Sequence, residues 1–393
     1  MHRRKWVLAA CVVATAGFVE PAAADNLATC RAGKGDGDAV VAACSAAIAT
    51  GLLKGQALAE AHLSRGLARP DNKAAIADYN EAIKLAPQFT AAYVNRGVAY
   101  HDMGQYERAV RDFLKAVELK PGLAIAWGDL GVTYSSMRDW NHSIEALGKA
   151  IALDPADPVN LNNRCYAYNM TKAYDDAIKD CSKALELDPK YTLSFVGRGN
   201  AYWNKGDYDH AIENYNRAIA LEPSRVLSWM ARGTAYTNKG NYNAAIADYD
   251  EAIKLDPKRA RAWNGRCWAR VIKGQDPAEL KLALDDCNRA LELQTNEAAI
   301  FDSRALVYLK LGKYDESIAD YDRALDLDPK MATSLFGRGV AKDRKEPGAG
   351  KQDIADAKRQ TLTIAEEMAK YGVTWTNTAA NAPANLPAKR REP

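Results

Sequence analysis

Histidine is scarce in this 393-residue chain, and the five present (His2, His62, His101, His142 and His210) are dispersed. None falls at metal-ligand spacing, and no nucleophile motif or glycine-rich phosphate loop is present. Gly348-Ala349-Gly350-Lys351 lacks the spacing and the Ser/Thr of such a loop, and the glycines between Gly33 and Asp38 read as a short turn rather than a calcium loop. Charge of one sign is lacking too: 53 Lys and Arg stand against 50 Asp and Glu. A nucleic-acid partner, which usually selects a strongly basic face, is therefore not expected. Long hydrophobic runs are also missing, and the apolar stretch from Trp6 to Phe18 is too short to span a bilayer. Together these absences argue against an enzyme, a cofactor, a metal site and a transmembrane segment.

That stretch follows Arg3, Arg4 and Lys5 and precedes Ala22-Ala23-Ala24, the layout of a secretory signal peptide. Residues 1–24 are expected to be removed, in an exported and periplasmic chain. Leu8-Ala9-Ala10-Cys11 looks like a lipoprotein cleavage box, but only two apolar residues precede it.

Prolines supply the positive signal. Pro87, Pro121, Pro155, Pro189, Pro223 and Pro257 are spaced by 34 residues; Thr295 takes the place of the next after a slip of four, and Pro329 restores the period. A fixed period of this length marks one supersecondary unit stacked many times. With the proline numbered 32, position 4 is aromatic or apolar (Tyr93, Trp127, Leu161, Phe195, Trp229, Trp263, Phe301). Position 8 is small (Gly97, Gly131, Cys165, Gly199, Gly233, Cys267, Ala305), and position 11 is Tyr except at Arg270. Position 20 is small and position 27 is Ala. Positions 4, 8 and 11 share one helical face, as do 20, 24 and 27, so each unit reads as two antiparallel helices. Glycine at position 15 breaks them apart.

This pattern resembles the tetratricopeptide repeat, although the Leu expected at position 7 is almost always Arg. The resemblance implies an all-α fold, a right-handed superhelical solenoid of antiparallel helix hairpins. It divides the chain into a degenerate hairpin over 25–56, eight repeats over 57–331, a diverged capping hairpin over 332–372 and a disordered tail over 373–393. Within the capping hairpin, Asp353 to Tyr371 reads as one long amphipathic helix.

The repeat register pairs residues across each hairpin, since positions summing to about 31 lie level. Cys30 with Cys44, Cys165 with Cys181, and Cys267 with Cys287 all fall at positions 8 and 24, so three disulfides within hairpins are expected. Positions 7 and 23 pair Arg65 with Asp78, Arg96 with Asp112, Arg164 with Asp180, Arg232 with Asp248, Arg266 with Asp286, Arg304 with Asp320, and Arg338 with Asp356. Where the cation is missing, at Leu130, its partner is Ala146. A ladder of ion pairs between the two helices of most repeats is expected.

In tetratricopeptide proteins, positions 2, 5, 9, 12 and 13 line a concave groove. Carried across, they give Asn162, Tyr166, Asn169 and Met170, then Asn200, Trp203 and Asn204. They continue with Met230, Thr234 and Asn238, and end with Asn264 and Trp268. Amides can satisfy a peptide backbone, and aromatic and Met side chains give adaptable apolar contact. The carboxylate-clamp mode of the family needs Lys at position 5, where this chain has Val94, Gly128, Asn162, Val196 and Met230. The expected function is a non-enzymatic protein- or peptide-binding adaptor of the cell envelope. A structural scaffold using convex or lateral surfaces, and a non-catalytic subunit of an enzyme complex, remain alternatives.

Overall fold

The computed structural model describes residues 21–33, 36–274 and 276–376. Most of the expected signal peptide and tail lies outside them, as does the centre of the Gly33–Asp38 turn; Val373, the first residue of the tail expected to be disordered, is instead buried in the core. The described residues form 21 helices and no strand. The chain divides into two compact units, residues 1–201 and 202–393.

The first unit holds α1 (Pro21–Ala32), α2 (Gly37–Ala49), α3 (Gly55–Ala68), α4 (Asn72–Leu85), α5 (Thr90–Asp102) and α6 (Tyr106–Leu119). It continues with α7 (Ala124–Ser136), α8 (Trp140–Leu153), α9 (Pro158–Met170), α10 (Tyr174–Leu187) and most of α11 (Thr192–Asn204). The second holds α12 (Tyr208–Leu221), α13 (Val226–Lys239), α14 (Tyr242–Leu255), α15 (Ala260–Lys273) and α16 (Pro277–Leu293). It ends with α17 (Ala298–Lys310), α18 (Tyr314–Leu327), α19 (Ala332–Lys345), α20 (Lys351–Gln360) and α21 (Ile364–Lys370). Within each unit, odd-numbered first helices pair with the next helix as a hairpin, and each hairpin stacks on its neighbour.

A few sequence columns explain this packing. A side chain on Gly97 or Gly131 would collide with Phe113 or Leu147 at position 24, so a small residue at position 8 lets the facing large one fill the hairpin. Ala109, Ala116, Ala177, Ala184, Ala211, Ala218, Ala245 and Ala252, at positions 20 and 27, are fully buried, and they allow close helix approach. Where position 32 is proline, it ends the second helix because it has no N–H to donate. Its carbonyl is then used: Trp127, Trp229 and Trp263 donate Nε1–H to Pro121, Pro223 and Pro257 at 2.9, 2.8 and 3.0 Å.

Six of the interhelical turns place a left-handed residue at position 15. Gly104, Gly206, Gly240 and Gly312 supply it with φ between 72° and 82°, but Arg138 and Lys172 adopt φ of 61° and 62° at the same place. For a residue with a Cβ this conformation costs roughly 1–2 kcal/mol. Arg138→Gly and Lys172→Gly are each expected to stabilise the first unit by about 1 kcal/mol, read by urea denaturation.

Two expectations for the last hairpin are corrected. The helix expected from Asp353 to Tyr371 breaks at 361–363, where Thr361 is extended (φ −140°, ψ 108°) and α21 starts anew. Arg338 pairs with Asp353, at 2.8 and 2.7 Å, and not with Asp356. The turn before α20 is tight: Gly350 packs directly on the Gly339 backbone, where no side chain fits. Asp353 is thereby level with Arg338, and Asp356, one helical turn later, bonds Arg359 and Gln352 on the exposed side.

Candidate functional site: the first-helix face

Each rung of the ladder is a bidentate contact. Nε and Nη2 of Arg96 reach both oxygens of Asp112 at 2.7 Å. Arg164 holds Asp180 at 2.6 and 2.9 Å, Arg232 holds Asp248 at 2.9 and 2.6 Å, and Arg304 holds Asp320 at 2.6 and 2.8 Å. Arg266 meets Asp286 at 2.9 and 2.5 Å, with Arg270 adding a third bond at 2.5 Å. Asp78 takes Arg65, Arg69 and His62 together. Burial pushes its carboxyl up, but these hydrogen bonds dominate and hold it well below the usual carboxylate range.

The guanidinium does more than the register alone implies. Its remaining Nη1 crosses to position 25 of the preceding hairpin: Arg96 to Asn80 at 2.6 Å, Arg232 to Asn216 at 2.6 Å, and Arg304 to Asn288 at 2.9 Å. Arg266 to Asp250 at 2.5 Å and Arg338 to Asp322 at 2.7 Å repeat the contact. Aromatic rings of positions 4 and 11 flank the same group, as Tyr93 and Tyr100 do for Arg96. One arginine thus joins two helices of a hairpin to each other and to the hairpin before. Lysine, a point charge without the planar fork, could not make all three contacts.

Three pairs of cysteine sulfurs lie at bonding distance, 2.09 Å for Cys30–Cys44, 2.08 Å for Cys165–Cys181 and 2.00 Å for Cys267–Cys287. Every one of these cysteines is buried. Gly197 of the next first helix presses on the Cys165–Cys181 pair, where a Cβ would sit 2.9 Å from the Cys181 sulfur.

First helices of adjacent hairpins touch within each unit: α5 with α7 and α7 with α9 in the first, α13 with α15, α15 with α17 and α17 with α19 in the second. The first-helix residues expected to line a groove are unequally exposed. Tyr166 is 52 % and Met170 46 % exposed, and Leu193 joins them at 39 %. Asn204 and Asn238 are exposed, while Asn200, Trp203, Met230 and Asn264 are half-buried. Others are spent on the scaffold. Asn162 is buried and accepts from Ser194 at 3.1 Å, and Asn169 donates to the Gly197 carbonyl at 3.0 Å. Thr234 bonds Tyr249 at 3.0 Å, and Trp268 meets the ring of Tyr371 edge-on at 5.0 Å.

Two acids on this face were not anticipated. Asp129 and Asp302 are raised by burial to about 7 and about 6, Asp302 in spite of hydroxyl donors from Ser334 and Thr333. Lys310 is lowered by burial to about 8 and donates to the Val271 carbonyl at 2.6 Å. For Asp302 the signal in the sequence was a charged residue at position 5, a groove column otherwise uncharged. Among the described residues no group of His, Cys, Asp or Glu is placed to hold a metal ion, and no helix is long and apolar enough to cross a membrane.

Family models described as tetratricopeptide repeats match residues 90–123, 124–157, 160–191, 196–260 and 231–296, and a TPR-repeat model matches 69–104 and 305–344. The chain belongs to the tetratricopeptide repeat family. The crystal structure of the APC/C hetero-tetramer Cut9–Hcn1 is similar with a TM-score of 0.54 at 19 % identity, covering 81 % of this chain and 62 % of that one. A tetratricopeptide repeat protein of Parabacteroides merdae gives 0.53 at 14 % identity, covering 64 % of this chain and 98 % of that one. The protein SGT1 homolog of Bos taurus is 33 % identical over 66 residues, 17 % of this chain and 19 % of that protein. The chain spans a fifth or less of the length of the curated relatives it matches. Such repeats make a protein-interaction scaffold and are typically non-catalytic.

Proposed function

We propose that this protein is a non-catalytic adaptor of the cell envelope that binds a protein or peptide segment along its first-helix face. The observation that carries the reading is the group Tyr166, Met170 and Leu193: three large apolar side chains exposed at groove positions of adjacent first helices. Large apolar side chains left in water on neighbouring first helices are what an interaction surface for a peptide would present. The amide of Asn200, half-buried on the next first helix, matches a peptide backbone, which needs both donors and acceptors.

Export is supported by the basic and apolar start of the chain and by three cysteine pairs, which an oxidising compartment would bond. Amino-terminal sequencing of the mature protein should begin at Asp25; a chain retaining Met1 would remove the periplasm from this reading.

The groove is tested with Tyr166→Ala, Met170→Ala and Leu193→Ala combined. Recovery of crosslinked partners from intact cells should drop at least tenfold while helicity is unchanged. Full recovery would favour a scaffold acting through its outer surfaces.

A further inference from the structure

Some groove positions that are open in the first unit are buried in the second. At position 9, Val98 and Tyr166 of the first unit are 38 % and 52 % exposed, whereas Leu306 and Val340 of the second are 2 % and 1 % exposed. At position 13, Met170 is open and Ile272 is buried. The chain itself supplies the cover. Ile364, Met368 and Val373 are buried in one apolar cluster with Val271, Leu306 and Val340, and Tyr371 stands edge-on to Trp268. The segment over 364–375 therefore lies on the first-helix face of α15, α17 and α19, where a bound peptide would lie.

We infer that this segment is a resident, exchangeable ligand of the second unit's groove. The partner segment for that groove has the same chemistry: a short amphipathic helix with apolar residues four apart, followed by a turn and a non-helical stretch that carry the aromatics. The inference rests on the first-helix face being the binding face. Three features fit exchange better than a permanent cap. The segment hangs from α20 through only three non-helical residues, 361–363, with Leu362 almost fully in water, so detachment needs rotation only there. Its helix has seven residues, too few to be stable alone. The groove it covers also keeps ionisable groups, Asp302 and Lys310, that a purely structural core would replace with apolar side chains.

A tethered occupant competes at an effective concentration in the millimolar range, so a free partner reaches the groove only by matching it or when the strap lets go. The test uses the full chain and a fluorescein-labelled synthetic peptide of residues 361–376. Tyr371→Ala combined with Trp375→Ala, which weakens the strap without touching its buried anchors, should bind the peptide at least tenfold more tightly than the unsubstituted chain. Equal affinity in the two proteins would overturn the inference. Hydrogen exchange on the unsubstituted chain supplies a second reading, independent of how the variant folds. Amides of 364–375 should exchange at least tenfold faster than those of α19. Exchange of both at one common rate would make the strap part of the core and overturn it. Neither result depends on Tyr166, Met170 and Leu193, so a failed strap and a failed groove are told apart.

Discussion

Asp112→Ala is expected to destabilise the first unit by about 3–5 kcal/mol, the cost of breaking a buried ion pair from one side. Asp112 is buried, and Arg96 offers it two hydrogen bonds at 2.7 Å. Without the carboxylate, Arg96 keeps its contact to Asn80 and its two tyrosine faces, yet two of its donors are left inside the hairpin with no acceptor. The chain contains its own control. One hairpin along, the rung is Leu130 over Ala146, both buried, with no charge at all. Arg96→Leu combined with Asp112→Ala copies that rung and should recover most of the loss, since an apolar replacement for a buried pair is often neutral. Urea denaturation of the three variants measures the coupling. If the double variant is no more stable than Asp112→Ala alone, the rung is not a two-body contact.

Reduction should cost about 3 kcal/mol for each cysteine pair, judged from the 14 to 20 residues that each closes. The loss should not be uniform. The hairpin of α1 and α2 has a small core in which Cys30 and Cys44 are themselves members beside Val40, Ala47 and Leu53. It also lacks the stacking neighbour on one side that interior hairpins have among the described residues. With dithiothreitol present, α1 and α2 are expected to lose protection from hydrogen exchange first, whereas α15 and α16, embedded in the large cluster that contains Cys267 and Cys287, keep theirs. Mass analysis under non-reducing conditions that finds six free thiols would remove both this prediction and the oxidising compartment.

Much of this was legible because the repeat supplies its own internal comparison. Reading down a column showed that position 8 is small. Reading two columns together paired arginine with aspartate. What was missed lay between repeats. The Nη1 acceptor sits at position 25 of the hairpin before, where the column holds Asn80, Asn216, Asn288, Asp250 and Asp322. These residues look like ordinary solvated polar side chains until set beside the next repeat's arginine. Leu114, which precedes the arginine-free rung at Leu130, was the available clue.

The last hairpin was read least well, because there the ruler ends. Beyond Pro329 no proline marks the register, so Asp356 was taken for the partner that is Asp353. Nor did the amphipathic pattern from 353 to 371 disclose a break: apolar residues on both sides of Thr361 and Thr363 keep helical spacing and join one core cluster. The groove shows the opposite limit. Its positions were identified by family resemblance, yet whether a given Asn faces water or bridges two helices depends on its neighbour. Asn162 is buried because Ser194 stands opposite it, while Asn204 and Asn238 are open.

The binding face is the central claim, and photo-crosslinking in intact cells tests it most directly. A benzophenone side chain placed at Met170 on α9, and separately at Lys183 on the exposed side of α10, samples the two faces of one hairpin. Partner adducts should form from position 170 and be absent from position 183. Adducts from 183 alone would contradict the groove and show that this protein works through its outer surface.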